Sequence, residues 1–209
     1  MKYSYERDGA AIYRESFATI RAEADLSRFP PDLARVVVRM IHACGMADLP
    51  QFVSASPGFA EIATRALQSR APILCDSMMV ANGITRSRLP VENEVFCMLQ
   101  DPLTPDVARR LQTTRSAAAV ELWRDKLAGA LVVVGNAPTA LFHLLEVIED
   151  GAPAPAAIIG IPVGFVGAAE SKAALAAHGG TLPFLTVLGR RGGSAIAAAA
   201  VNALATEQE

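Results

Sequence analysis

Apolar positions follow two different periods along this chain, and the change falls just after Gly45. Before that glycine, apolar residues recur every three or four positions, as in amphipathic helices. After it, short runs of consecutive apolar residues alternate with stretches of helical pattern. Continuous apolar runs are typical of strands covered on both faces, and their alternation with helices favours parallel pairing. The pattern therefore predicts an α/β protein with three α/β/α layers, a mainly parallel sheet and an N-terminal helical preface.

The first helix is predicted over 9–25, and the second begins at Pro30-Pro31-Asp32 because proline suits a first helical turn. Gly45 ends the second helix as a C-cap. The predicted strands lie at 51–54, 71–75, 94–99, 130–134, 157–161 and 183–188. The later helices are predicted at 57–69, 104–127, 138–149, 168–178 and 192–206.

Composition narrows the class of protein. The 209 residues are 52% hydrophobic and 19% charged, which predicts one domain over 1–209 with a well-filled core. A net charge of −2 argues against nucleic acid as a partner. No apolar run is long enough to span a bilayer and the N-terminal stretch lacks a signal-peptide core, so we expect a cytoplasmic protein without a membrane partner.

The chain has three cysteines, at positions 44, 75 and 97, and no two of them have the spacing of metal ligands. Their number is odd, and each lies in an apolar stretch. Buried reduced thiols are the expected state, without disulfides and without a metal site.

The candidate chemistry begins with His42. On a helix, Arg35, Arg39 and His42 fall within roughly 60° of one another, opposite an apolar face. The side chain that exchanges protons most readily near neutral pH thus shares a stripe with two permanent cations. This grouping favours acid–base work on an anionic molecule. The other two histidines, His143 and His178, are interpreted as structural.

Small and polar residues follow the predicted strands, where open parallel sheets bind their ligands. Arg190 and Arg191 share one glycine-rich loop, and Arg86 and Arg88 share another. Most of these loops lead into helices, whose free N–H groups favour anions. In any single loop the glycines could serve only a tight strand-to-helix turn, but the loops taken together with their four arginines predict an anion site. No dinucleotide or triphosphate fingerprint is present.

Several longer strings resemble the precorrin-8X methylmutase family, in order and over nearly the whole chain. The strings are Ala11–Phe17, Ile20–Asp25, Arg39–Gly45, Ile73–Met79, Gly135–Thr139, Gly160–Gly167 and Gly189–Ser194. The resemblance implies a flavodoxin-like fold, a homodimer and a place in vitamin B12 (cobalamin) biosynthesis. It implies an isomerase that moves a methyl group from C-11 to C-12 of precorrin-8X, giving hydrogenobyrinate without a cofactor.

The resemblance also implies roles for particular residues. The catalytic histidine of the family aligns with His42, as proton donor or acceptor. The expected substrate contacts are Ser16, Arg39, Thr85, Arg86, Asn136, Arg190 and Arg191, of which the last five depend on loop position.

Two other classes of protein stay open. A flavodoxin-like module could hold a phosphorylated cofactor without reacting, using the same glycine loops. A structural subunit could present its arginine stripe to an acidic partner. His42 with its arginines favours the enzyme, because a binding module does not require that grouping.

Overall fold

A computed structural model describes residues 3–178 and 182–206. The helices are α1 Gly9–Glu23, α2 Pro31–Cys44, α3 Phe59–Gln68, α4 Met78–Gly83, α5 Thr104–Leu111, α6 Arg115–Glu121, α7 Pro138–Glu149, α8 Ala168–Ala177 and α9 Ser194–Ala205. The strands are β1 Val53–Ala55, β2 Ile73–Cys75, β3 Val95–Phe96, β4 Leu131–Val134, β5 Ala157–Gly160 and β6 Phe184–Val187. Short 3₁₀ turns lie at 49–52, 86–88, 98–100 and 124–126.

The strands form one sheet in the order β1-β6-β5-β4-β2-β3. All pairs are parallel except β1 with β6, where Val53 lies opposite Val187. The five parallel strands therefore follow the flavodoxin-like order 2-1-3-4-5, and β1 adds an antiparallel edge. The predicted mainly parallel, flavodoxin-like sheet is confirmed.

Helices cover both faces of the sheet, because side chains along a strand point alternately to its two faces. In β4, Leu131 and Val133 belong to a hydrophobic cluster with α2, α3, α4 and α9, whereas Val132 and Val134 pack with α7 and α8. All four residues are fully buried. This burial explains why the strand is a continuous apolar run.

The prediction of one helix over 104–127 is wrong. Gln112 ends α5 in the left-handed conformation, at φ 51°, and the Thr114 hydroxyl accepts a hydrogen bond from the Ala117 N–H to begin α6. Helix α4 was not predicted from the sequence, although the Ser77 hydroxyl caps its start by accepting a hydrogen bond from the Val80 N–H. The other predicted helices and strands are confirmed, with ends shifted by up to a few residues.

Helix α2 carries His42 towards the carboxyl edge of the sheet. Arg35, in its first half, contacts the end of α9, and Cys44, at its end, lies near Arg191, just before α9 begins. The two helices therefore run antiparallel, and α1 packs on the outer side of α2. Within the described residues, no helix has the length and apolar character needed to cross a membrane.

Candidate active site

His42 lies in the last turn of α2 with its ring exposed to solvent and supported by α1. Its imidazole packs against the rings of Tyr13 and Phe17, with centroids 5.4 Å and 5.0 Å away. Tyr13 and Phe17 are four residues apart, so they face the same side of α1. The two aromatic rings restrict where the imidazole can turn.

The ring nitrogens of His42 are free of protein partners among the described residues, unlike those of the other two histidines. His143 contacts Glu121 at 2.7 Å and Glu146 at 3.0 Å, and His178 contacts Glu149 at 2.7 Å. These contacts agree with the structural interpretation of His143 and His178. His42 is therefore the histidine whose proton remains available to a bound molecule.

Ser16 and His42 line one cavity of about 500 Å³ between α1 and α2. Ser16 is half-buried, and the wall beside it includes Glu15 and Glu23. The structure thus brings together the two residues that the sequence analysis placed on separate helices.

Arg39 also lies at this junction. Its guanidinium stands over the Phe17 ring, 5.5 Å from the centroid, so Phe17 contacts both Arg39 and His42. The Nη1 atom of Arg39 is buried and has no hydrogen-bond partner among the described residues. A buried donor without an acceptor is unfavourable, so this atom is suited to receive a ligand oxygen.

The expectation that Arg35 shares the site with His42 is wrong. Arg35 Nη1 donates to the carbonyls of Ala203 at 2.6 Å and Thr206 at 2.7 Å. These carbonyls belong to the end of α9, where backbone acceptors lack helical partners and a cation is favourable. Arg35 therefore caps a helix.

A second cavity, of about 670 Å³, lies on another side of α1. It is lined by Gly9, Ala10, Tyr13, Arg14, Phe17, Ala18, Arg21 and Arg88. Tyr13 and Phe17 line this cavity and also contact His42, so the two features share a wall. Arg88 was missing from the predicted substrate contacts. In the sequence, only the presence of Arg88 in the same loop as Arg86 could have indicated it as a candidate contact.

Thr85 and Arg86 are exposed, on a segment fixed to α9. Asn202 accepts from the Thr85 N–H at 2.8 Å and donates to the Gly83 carbonyl at 3.0 Å. Neither Thr85 nor Arg86 lines the cavity of His42 or the arginine-lined one.

Arg190 and Arg191 have different surroundings although they are neighbours in sequence. Arg191 contacts Asp48 at 2.7 Å and stacks on Phe52, and its carbonyl accepts from Lys172 Nζ at 2.5 Å. Arg190 is exposed, 5.4 Å from the Phe165 ring centroid. Neither arginine lines the cavity that contains His42. The Lys172 ammonium group that donates to Arg191 is partly buried, and this burial lowers the pKa of Lys172 to about 8.

Asp76 occupies the position between β2 and β4 where flavodoxin-like sheets bind ligands. Its carboxylate accepts the N–H groups of Gly135 at 2.9 Å, Asn136 at 2.8 Å and Ala137 at 2.7 Å. Burial raises the pKa of the Asp76 carboxyl, while these three donors favour its charged form. The N–H groups at the start of α7, which would otherwise favour an anionic ligand, thus bind the chain's own carboxylate, and the Asn136 residue beside them is exposed.

All three cysteines are free, and burial raises the pKa of each thiol. Cys75 is fully buried, whereas Cys44 and Cys97 are half-buried. The thiol form is therefore favoured over the nucleophilic thiolate at neutral pH.

The fold and the site define a flavodoxin-like α/β protein in which the described residues leave the ring nitrogens of His42 without hydrogen-bond partners, beside an arginine-lined cavity. Comparisons with known proteins place it in a family. The family model described as precorrin-8X methylmutase matches residues 11–207. A precorrin-8X methylmutase of Pseudomonas aeruginosa is 60% identical, over 98% of this chain and 99% of that protein. One of Sinorhizobium sp is 59% identical, over 98% and 97%.

Solved structures agree. A crystal structure of precorrin-8X methyl mutase from Thermus thermophilus superposes with a TM-score of 0.85 and 42% identity, over 94% of this chain and 95% of that one. The chain belongs to the precorrin-8X methylmutase family, and it is an isomerase of cobalamin biosynthesis.

Proposed function

We propose that this enzyme moves a methyl group from C-11 to C-12 of precorrin-8X, giving hydrogenobyrinate, and that His42 is its proton donor and acceptor. The main support for this proposal is that the His42 ring packs against Tyr13 and Phe17, while its nitrogens have no hydrogen-bond partner among the described residues. An imidazole held in place and open to a ligand is suited to general acid–base catalysis.

The chemistry requires little more than this. A sigmatropic methyl shift within one ring system needs no nucleophile and no redox step, only the reactive tautomer held in the right shape. An imidazole that lends a proton to the macrocycle and recovers it afterwards controls that tautomer. Such a positioned group contributes typically about 10²–10⁴ in rate.

Substrate binding is proposed to start from Ser16 and Arg39. Ser16 lines the cavity of His42. The guanidinium of Arg39 stands over the Phe17 ring that also contacts His42, and its buried Nη1 has no hydrogen-bond partner among the residues that the structure describes. A guanidinium matches the planar carboxylate groups that precorrin-8X carries. Thr85, Arg86, Asn136, Arg190 and Arg191 remain proposed contacts, in the outer part of the substrate site.

We also propose a homodimer that works in the cytoplasm. Phe165 and Val166 are 83% and 89% exposed, and Met79 is 72% exposed, although all three are apolar. Exposed apolar side chains of this size are typical of interaction surfaces. Their location after the strands would place a second subunit beside the outer substrate contacts.

The alternative of a module for a phosphorylated cofactor is disfavoured by Asp76. A phosphate at the start of α7 would need the N–H groups of Gly135, Asn136 and Ala137, which already donate to the Asp76 carboxylate. Two anions would also repel each other there.

The proposal is tested by incubating the purified protein with precorrin-8X and following the absorbance change as hydrogenobyrinate forms. We expect conversion by the wild type, a loss of at least about 100-fold in kcat for His42→Ala, and a nearly normal rate for His178→Ala. The second variant is a matched control, because it removes an imidazole that is bonded to Glu149. A His42→Ala rate within about threefold of wild type would contradict the proposed role.

A further inference from the structure

In the described part of the chain, the charged side chains that line the cavity beside α1 are three arginines. Arg14, Arg21 and Arg88 line it, and none of its other lining residues is acidic. The neighbouring His42 cavity differs, since Glu15 and Glu23 form part of its wall. A lining whose charged side chains are arginines favours an anionic ligand.

Arg88 is the member of this group that is least satisfied by the protein. Its Nη1 atom is buried, and it has no hydrogen-bond partner among the described residues. Arg14, in contrast, is well exposed and lies 3.8 Å from Asp8. A buried guanidinium nitrogen loses its water without gaining an acceptor, which is unfavourable until a ligand oxygen arrives.

The position of Arg88 connects the cavity with His42. Phe17 lines the cavity and contacts both His42 and Arg39, and Tyr13 does the same for His42. Among the described residues, the Nη1 atoms of Arg39 and Arg88 thus lack hydrogen-bond partners, and both arginines lie near the same aromatic wall. A flat apolar ring with carboxylate arms would meet such a wall with its ring and the two guanidinium groups with its arms.

We propose that this cavity is a carboxylate-binding site in which Arg88 is the anchor, and that it holds one carboxylate arm of the macrocyclic substrate. The inference rests on the proposed function for the identity of that substrate. It selects Arg88, in addition to Arg86 of the same loop, as a residue that determines binding of the polycarboxylate.

The test compares wild type, Arg88→Met, Arg88→Lys and the control Arg65→Ala. Arg65 is a surface arginine whose side chain is 65% exposed, paired with Glu61 at 3.3 Å. Hydrogenobyrinate is titrated against each protein to obtain Kd, and kcat and KM are measured with precorrin-8X. Thermal unfolding and gel filtration are run on the same samples.

For Arg88→Met we expect Kd and KM to rise by at least about tenfold, because a charge-assisted bidentate contact is lost. The kcat should stay within about threefold and the melting temperature should not fall, because the change also removes a buried donor without a partner. Arg88→Lys should recover only part of the affinity, and Arg65→Ala should match wild type. A Kd for Arg88→Met within about twofold of wild type, or a changed elution volume, would overturn the proposal.

A small probe separates this inference from the proposed function. Tricarballylate at millimolar concentration should raise the melting temperature of wild type but not of Arg88→Met. If wild type fails to convert precorrin-8X while this difference persists, the proposed function fails and the carboxylate site stands. If wild type is active and tricarballylate stabilises both proteins equally, the carboxylate site fails and the proposed function stands.

Discussion

The imidazole of His42 lies against the ring of Phe17, with 5.0 Å between centroids and 32° between planes. Phe17 is 5% exposed, and the Arg39 guanidinium stands over the same ring. One buried aromatic side chain therefore positions both the proposed proton carrier and a proposed substrate contact. Under the proposed mechanism, α1 therefore helps to position the reacting groups, although none of its residues is proposed to react.

Phe17→Leu should lower kcat about tenfold, because a looser imidazole spends less time in the reactive orientation. Apolar volume is largely kept, so the free energy of unfolding should fall by only about 1–2 kcal/mol. Steady-state kinetics and urea unfolding measure the two effects. Phe29→Leu, at a half-buried phenylalanine that contacts neither His42 nor Arg39, serves as control. An unchanged kcat for Phe17→Leu would refute the positioning role.

Arg35→Met and Arg39→Met should have opposite consequences although the two arginines are one helical turn apart. Arg35→Met should cost about 2–3 kcal/mol in unfolding free energy, because the carbonyls of Ala203 and Thr206 lose a charged donor. Its kcat/KM should stay near wild type. Arg39→Met should raise KM at least about tenfold with little change in stability. Urea unfolding and kinetics on both variants check this, and a reversed pattern would contradict the assignment.

Asp76→Ala should destabilise the fold by about 3 kcal/mol or more, because three backbone N–H groups lose their acceptor. Formate, which reproduces the carboxylate, should restore part of that stability in the variant and leave wild type unchanged. Chloride at the same ionic strength is the control. Thermal unfolding with each salt measures the effect, and equal responses to formate and chloride would argue against a replaceable anion at α7.

Lys172 should make stability depend on pH in alkaline solution. Burial lowers its pKa to about 8 in the folded chain, from an ordinary value of 10.5. Between these values the unfolded chain binds more protons than the folded one, so the contribution of Lys172 to stability rises with pH. Denaturant unfolding at pH 7.5 and pH 10 should show wild type gaining relative to Lys172→Met. A constant difference between the two proteins would show that the pKa of Lys172 is not lowered.

Local signals were sufficient for most of the fold. Leu131–Val134 could be recognised as a strand covered on both faces because it contains no polar residue, and Pro31 with Gly45 marked both ends of α2. The break at Gln112 had no such mark, since neither proline nor glycine stands there and the left-handed residue is a glutamine. The antiparallel direction of β1 was likewise not readable, because direction depends on how the chain crosses the sheet.

The candidate site was readable in part. His42 could be found because proton exchange near neutral pH is a property of the residue type, and Ser16 followed from the family resemblance. The sequence analysis proposed Arg86 and not Arg88 as a substrate contact, because the two arginines lie in one loop. Only the folded structure shows that Arg88 has a buried nitrogen whereas Arg86 is exposed.

Most of the elements, the fold class and family membership follow from the order of residues alone, because hydrophobic period, capping residues and motif strings are properties of short segments. Tertiary structure decided what each charged group does. Helical spacing sets the direction in which Arg35 and Arg39 point, but the partner of Arg35 lies 168 residues away in α9. Asp76 meets the start of α7 only because β2 and β4 are neighbours in the sheet. Contacts between distant segments exist only once the chain has folded, and the function of an arginine or a carboxylate depends on which of them it makes.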